Sequence, residues 1–342
     1  MNPANSIFGH QFEIVIKISE SFESVTIITT EYLGNELPEN VKVYLAPWKS
    51  SSKILSVVKF YLTLILVLIK KRYDLVFSHM VDTQAFLAVP FLKILRVPHI
   101  FWYAHANPAK RANLVSHLSN FNISSTKGSF PLSGRPVKFL GQSINLQNYK
   151  YHAKLFNSRN HLVHIGRLDS SKNILLLIEL ASKVYKENEN VRLDLWGRLP
   201  VNEYLGKLKW ELEKSKSFIK YNGQTSRENI PNVLVKYNIF VHAFYGSLDK
   251  SILEATAIGL PVVTLNQEYI NEFGCWSKLE NTGDLAFLIA EINSLLQSPD
   301  FEIDMELKRR REIVENKHSL DNWMSGFLSL CNTLLNEEKS TK

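Results

Sequence analysis

The chain has 342 residues, 45% hydrophobic and 21% charged, with 14 Gly, 12 Pro and 2 Cys. This composition excludes a disordered chain, a collagen and a coiled coil, and the length suits two domains that each bury a core. The formal charge of +7 is unevenly spread: residues 1–150 hold 16 Lys or Arg against 8 Asp or Glu, and the remainder holds 24 against 25.

In chain order, a helical pattern (SIFGHQFEIVIKISES) comes first, where a doubly wound domain would open with a strand and a glycine-rich turn. The first strand is therefore expected to be missing, with the start codon upstream as the alternative. Strands are then predicted at Val25–Thr29, Val41–Leu45, Leu75–Ser78, His99–Tyr103 and Val137–Leu140. A second set follows at His161–Ile165, Arg192–Trp196, Ile219–Asn222, Ile239–His242 and Val262–Leu265. Helical segments separate the members of each set, so the pattern predicts α/β architecture with parallel sheets. The polar stretch Asn145–Asn160 reads as the boundary, and Ile303–Glu338 reads as terminal helix.

The stretch Ile54–Ile69 is the longest apolar one, 16 residues interrupted by Lys59. It falls short of the roughly 20 residues needed to span a bilayer. Its flanks, Lys53 and then Lys70, Lys71 and Arg72, suit a helix at a membrane surface, and a buried helix packed on a sheet is the alternative. No carboxylate occurs from Thr83 to Leu168, where eleven Lys and Arg fall. Such a field draws phosphorylated small molecules, acidic headgroups or nucleic acid. No nucleic-acid reader motif accompanies it, no secretory signal opens the chain, and two cysteines fit a reducing cytosol.

Two segments carry chemistry. In HLVHIGRLDSSKN, a strand and a turn at Gly166 precede Arg167 and Lys172 at the head of a helix. Free N–H groups, the helix dipole and two cations there can grip a diphosphate. In FYGSLDKSILEATAIGLPVVT, Gly246 and Ser247 open a helix bearing Glu254, Gly259 reads as its left-handed cap, and Pro261 leads into a strand. A carboxylate such as Glu254 on a crevice helix can accept both hydroxyls of a ribose.

These segments, with the glycine after RLDLW and the NGQ at 222–224, resemble the C-terminal domain of retaining glycosyltransferases of family 4. FWYAH, ending at His105, and GQSIN at 141–145 extend the resemblance over nearly the whole chain. It implies the GT-B fold, with two Rossmann-like domains facing a cleft: 1–150 on the acceptor side, and 151–342 binding the nucleotide-sugar and carrying the terminal helices. Carried over by position, the resemblance gives Arg167 and Lys172, with the turn at Gly166, to the donor diphosphate and Glu254 to the ribose. His105 goes to the reacting sugar and the backbone of Ser247, Leu248, Asp249 and Lys250 to the sugar hydroxyls, with Gln224 near the base. The sequence departs from the family at Gly246, which stands where the first of two paired glutamates is expected. The missing first strand would also remove the family's glycine-rich loop.

The function implied is transfer of a sugar from a nucleotide-sugar to a glycan or lipid-linked acceptor in cell-surface polysaccharide synthesis, lipopolysaccharide included. A catalytically impaired nucleotide-sugar-binding protein is the alternative. Few first-domain carboxylates are available for a double displacement, whereas front-face transfer needs only stabilisation of the departing diphosphate and the sugar cation. No D-x-D motif is present, so no metal or other cofactor is expected. The expected partners are the donor, the acceptor and an anionic membrane surface, with the protein cytoplasmic or peripheral at the inner membrane face.

Overall fold

The computed structural model describes residues 9–34, 37–134, 136–152, 159–278 and 283–340. They fall into two compact units, one of Met1–Ser143 with Leu320–Lys342 and one of Ile144–Ser319. The second domain expected over 151–342 therefore begins and ends earlier, because the last helix has its packing partners in the first unit. Of the boundary stretch Asn145–Asn160, residues 153–158 lie outside the described residues.

The first unit runs α1 (His10–Ser19), β1 (Val25–Thr29), β2 (Val41–Leu45), α2 (Lys53–Lys70), β3 (Val76–His79), α3 (Asp82–Ile94), β4 (His99–Trp102), α4 (Lys110–Leu118), β5 (Phe121–Ser124) and β6 (Val137–Phe139). Strands β1 and β2 form a parallel pair in the register Val25↔Val41, and β3-β4-β5-β6 form a parallel sheet in sequence order. Every residue of β4 is buried, as a parallel strand covered on both faces requires. Among the described residues no strand precedes α1, and residues 1–8, which include the first three of the opening pattern, lie outside them.

In the second unit follow β7 (His161–Ile165), α5 (Ile174–Glu187), β8 (Arg192–Trp196), α6 (Tyr204–Lys214), β9 (Ile219–Tyr221), α7 (Ile230–Leu234) and β10 (Ile239–His242). Then come α8 (Lys250–Ile258), β11 (Val262–Thr264), α9 (Gln267–Phe273), α10 (Asp284–Gln297) and α11 (Asp300–Ile313). All five strands are parallel, in the order β11-β10-β7-β8-β9. The chain thus builds outward from β7 in one direction and resumes on its other side with β10, which places the topological switch point between those two strands. Ligands of open parallel sheets bind at the carboxyl ends of the strands at such a point. One core layer joins Leu177, Leu180 and Leu288 to one sheet face, and a second joins Ile252, Leu253 and Tyr269 to the other. Gly259 ends α8 at φ +87°, the left-handed cap expected of it.

After a π-helical turn at Val314–His318, α12 (Leu320–Ser340) returns to the first unit. Its Trp323, Met324, Phe327 and Leu330 pack with Ile14, Ile100, Trp102 and Ile123.

Candidate functional site

The turns after β7, β8 and β9 are laced together at their carboxyl ends. Gly166 donates to the Trp196 carbonyl at 3.0 Å, and Gly197 donates to the Gly223 carbonyl at 2.8 Å. A Cβ on Gly197 would lie 1.6 Å from the Gly166 carbonyl oxygen, so only glycine permits the approach. Arg167 leaves this turn with its side chain half exposed. Its guanidinium is 2.9 Å from Asp169, and it donates to the Ser171 hydroxyl at 3.3 Å. Asp169 in turn accepts from the Ser171 N–H at 3.1 Å and caps the short turn Ser170–Lys172.

Lys172 ends that turn and is buried, 8% exposed. Its ammonium pairs with Asp249 at the start of α8 and sits 3.7 Å above the Phe244 ring. The same Asp249 oxygen is 3.3 Å from His242 Nε2, and His242 Nδ1 is 2.9 Å from the Thr264 hydroxyl. Burial lowers the His242 pKa, more than Asp249 raises it, so the ring is neutral. A carboxylate can only accept, so Nε2 carries the proton and Thr264 donates to Nδ1. Burial alone would raise the Asp249 carboxyl, but Lys172 and His242 outweigh it and hold it well below the usual carboxylate range. Beside His242, with ring centroids 6.1 Å apart, lies buried His164, which burial pushes down to about 3. His164 Nδ1 donates to the Val241 carbonyl at 3.0 Å, which turns the unprotonated Nε2 toward Gly166, within 3.1 Å of where a Cβ would stand. That nitrogen is buried without a hydrogen-bond partner.

The loop after β10 is fixed by Asn266, wholly buried at the head of α9. Its amide donates to the carbonyls of Gly246 (2.9 Å), Phe244 (3.3 Å) and Ser247 (3.3 Å), while its oxygen caps the Tyr269 N–H at 3.0 Å. A Cβ on Gly246 would lie 2.0 Å from the Phe244 ring, so the aromatic occupies the space a side chain at 246 would need. The Leu248 side chain is in the core, and its N–H donates to Glu268 at 2.9 Å. Ser247 and Lys250 are partly exposed, and Gln224 is exposed just after Gly223. Glu254 is 3% exposed and sits 2.9 Å from the buried Arg227 guanidinium.

The second unit thus brings Gly166, Arg167, Lys172 and Ser247–Lys250 to adjacent strand ends, with Glu254 one helical turn further on. His105 belongs to the first unit, where it follows β4, is exposed, and donates its N–H to the Ser129 carbonyl at 2.9 Å. Sequence reasoning missed His242, Thr264, Asn266 and Arg227. His242 and Thr264 end strands, Asn266 and Arg227 precede helices, and a polar residue at such a place was the available signal.

Residues 148–317 match the model of the family described as glycosyl transferases group 1. Among curated proteins none matches the sequence significantly. Among solved structures the chain is similar to Anabaena HepE in complex with UDP and glucose, at 15% identity and TM-score 0.72 over 97% of this chain and 98% of that one. It is also similar to sucrose-phosphate synthase from Thermosynechococcus elongatus, at 12% identity and TM-score 0.77 over 95% and 92%. A glycosyltransferase from Rickettsia africae gives 12% identity and TM-score 0.72 over 98% and 97%. The chain accordingly has the GT-B fold, and its residues 148–317 are similar to the glycosyl transferases group 1 family.

Proposed function

We propose that the protein is a retaining glycosyltransferase that moves a sugar from a nucleotide-sugar donor to a glycan or lipid-linked acceptor in cell-surface polysaccharide synthesis. The observation that carries this reading is the convergence of Arg167, Lys172 and the Ser247–Lys250 backbone at the switch point between β7 and β10. UDP in HepE supports a uridine nucleotide as the first donor to test. In the reaction the anomeric C–O bond to the diphosphate breaks while the acceptor oxygen bonds the same carbon on the same face. The acceptor proton passes to the departing diphosphate oxygen. Arg167 and Lys172 meet the charge that develops on that diphosphate, a role that needs no metal. Glu254 accepts from the ribose hydroxyls, Gln224 stands near the base, and His105 is assigned to the sugar on the family resemblance alone. We place the reaction in the cytoplasm, with the acceptor presented at the inner membrane face.

The test is a thermal-shift screen with UDP, GDP, ADP and CMP. A ligand at 100 times its Kd adds about 2.7 kcal/mol, enough to raise Tm by a few degrees. UDP is expected to raise Tm selectively, and Glu254→Gln to reduce that shift while the shape beside Arg227 is kept. No shift with any nucleotide on folded protein overturns the reading. A second reading, a nucleotide-sugar-binding protein that does not transfer, is favoured by the Phe244 ring in the place of a side chain at 246. Binding of UDP-sugar with no release of UDP in the presence of any glycan acceptor would select it.

A further inference from the structure

Helix α2 buries only Ser56, Phe60, Leu64 and Val67. Much of the rest of its apolar surface faces solvent: Ile54 is 84% exposed, Leu62 65% and Ile69 79%, with Val58 and Leu66 between them, whereas Tyr61 and Leu68 pack partly against the core. Steps of three and four residues put these five on one face along the whole helix, about 27 Å at 1.5 Å per residue. A continuous exposed apolar face of this kind marks an interaction site. The neighbouring helix α3 also ends in an exposed apolar residue. Ile94 is 79% exposed between Lys93 and Arg96, and α3 packs on α2 through Phe91, whose ring is 5.4 Å from Tyr61.

The charges that α2 and its two flanks bring to this face are all basic. From residue 40 to 73 there is no Asp or Glu, and Lys53, Lys59, Lys70, Lys71 and Arg72 are all exposed. Lys71 bonds the Ser24 hydroxyl and Lys70 lies over the Tyr44 ring, contacts that leave both charges uncompensated. A second copy of the chain would bring the same cations against its own rim, at a Coulombic cost. An anionic lipid surface supplies the opposite charge, together with an apolar layer for the residues between. Among the described residues no helix is long and apolar enough to cross a membrane, so α2 is suited to lie on one.

We propose that the outer face of α2 docks the protein on an anionic bilayer, with Ile54, Val58, Leu62, Leu66 and Ile69 entering the headgroup region and the flanking Lys and Arg meeting lipid phosphates. The surface is independent of the chemistry in the second unit. Only its use in meeting a lipid-linked acceptor rests on the proposed transferase reading.

The experiment is co-sedimentation of the full chain with vesicles of phosphatidylcholine containing about 30% phosphatidylglycerol, and with phosphatidylcholine alone. Binding is expected to the mixed vesicles, roughly tenfold weaker without the anionic lipid and weaker again as salt rises. The double substitution Leu62→Asp and Ile69→Asp, at positions outside the core, should lower vesicle binding by about tenfold or more and leave the UDP-induced Tm shift unchanged. Replacing Lys70, Lys71 and Arg72 by Gln should give a comparable loss through charge. Vesicle binding by both variants at the level of the unaltered chain overturns the proposal. A lipid-free dimer that the double variant converts to monomer does so too, because the face would then belong to a second copy. Retained vesicle binding with no nucleotide shift in the unaltered chain upholds the surface and sinks the transferase reading instead.

Discussion

Lys172 is a cation taken out of water, and its environment compensates for that at three points: the Asp249 carboxylate, the face of Phe244, and His242 holding Asp249 in place. Neutralising the carboxylate leaves the ammonium buried beside an aromatic ring alone. Asp249→Asn is therefore expected to destabilise the second unit by about 3 kcal/mol, toward the lower end for a broken buried pair because Asp249 keeps a quarter of its side chain in solvent. Its unfolding midpoint in urea checks this. If Lys172 faces the donor diphosphate, the ligand replaces the lost anion, and UDP should raise the Tm of this variant more than that of the unaltered chain. An equal or smaller shift would remove Lys172 from the phosphate site. Arg167 differs in kind. Half exposed and bridged to Asp169 and Ser171, it can turn to a ligand at little desolvation cost.

At the level of elements, α12 shows how a helix can be legible and its destination hidden. The stripe in WMSGFLSLCNTLL gives the buried face, but nothing local says that Trp323 and Phe327 stack at 5.1 Å and reach Trp102 and Phe77 of the first unit. Phe327→Ala should cost about 3–5 kcal/mol through the lost burial and the cavity left behind, read as a lower midpoint for the first unit alone. A single shifted transition involving both units would contradict the division. The apolar runs at Val25, His161 and Arg192 gave their strands to the residue. Strand β5 (FNIS) was missed because Asn122 and Ser124 are buried there and polar, and the Asn122 amide donates to the Ser116 carbonyl at 2.9 Å, outside the strand ladder. The same limit governs the site. Strand, turn and helix at Gly166–Lys172 and at Gly246–Glu254 are local and were readable. The Lys172–Asp249 pair spans 77 residues and exists only because β10 returns to lie beside β7.

For the molecule as a whole, the chain passes from the first unit to the second at Ser143–Ile144 and back at Ser319–Leu320. One unit is therefore a continuous segment and the other is assembled from two. A fragment of residues 144–319 is expected to fold by itself, with a cooperative thermal transition, because both of its core layers are internal to that segment. Truncation after Ser319 should abolish the transition of the first unit and spare that of the second. A 144–319 fragment without a cooperative transition would show that the segment needs the rest of the chain.

That return of the last helix bears on how the protein is made. Domains emerging from the ribosome fold as they are completed, usually the amino-terminal one first. Here the first unit lacks Trp323, Met324 and Phe327 until the whole of the second unit, through Ser319, has been synthesised. The unit whose synthesis begins first is thus not the first to have all of its residues. Throughout translation of the second unit, the incomplete first one exposes the Ile100, Trp102 and Ile123 surface that α12 later covers, which makes it a client for chaperones during that interval.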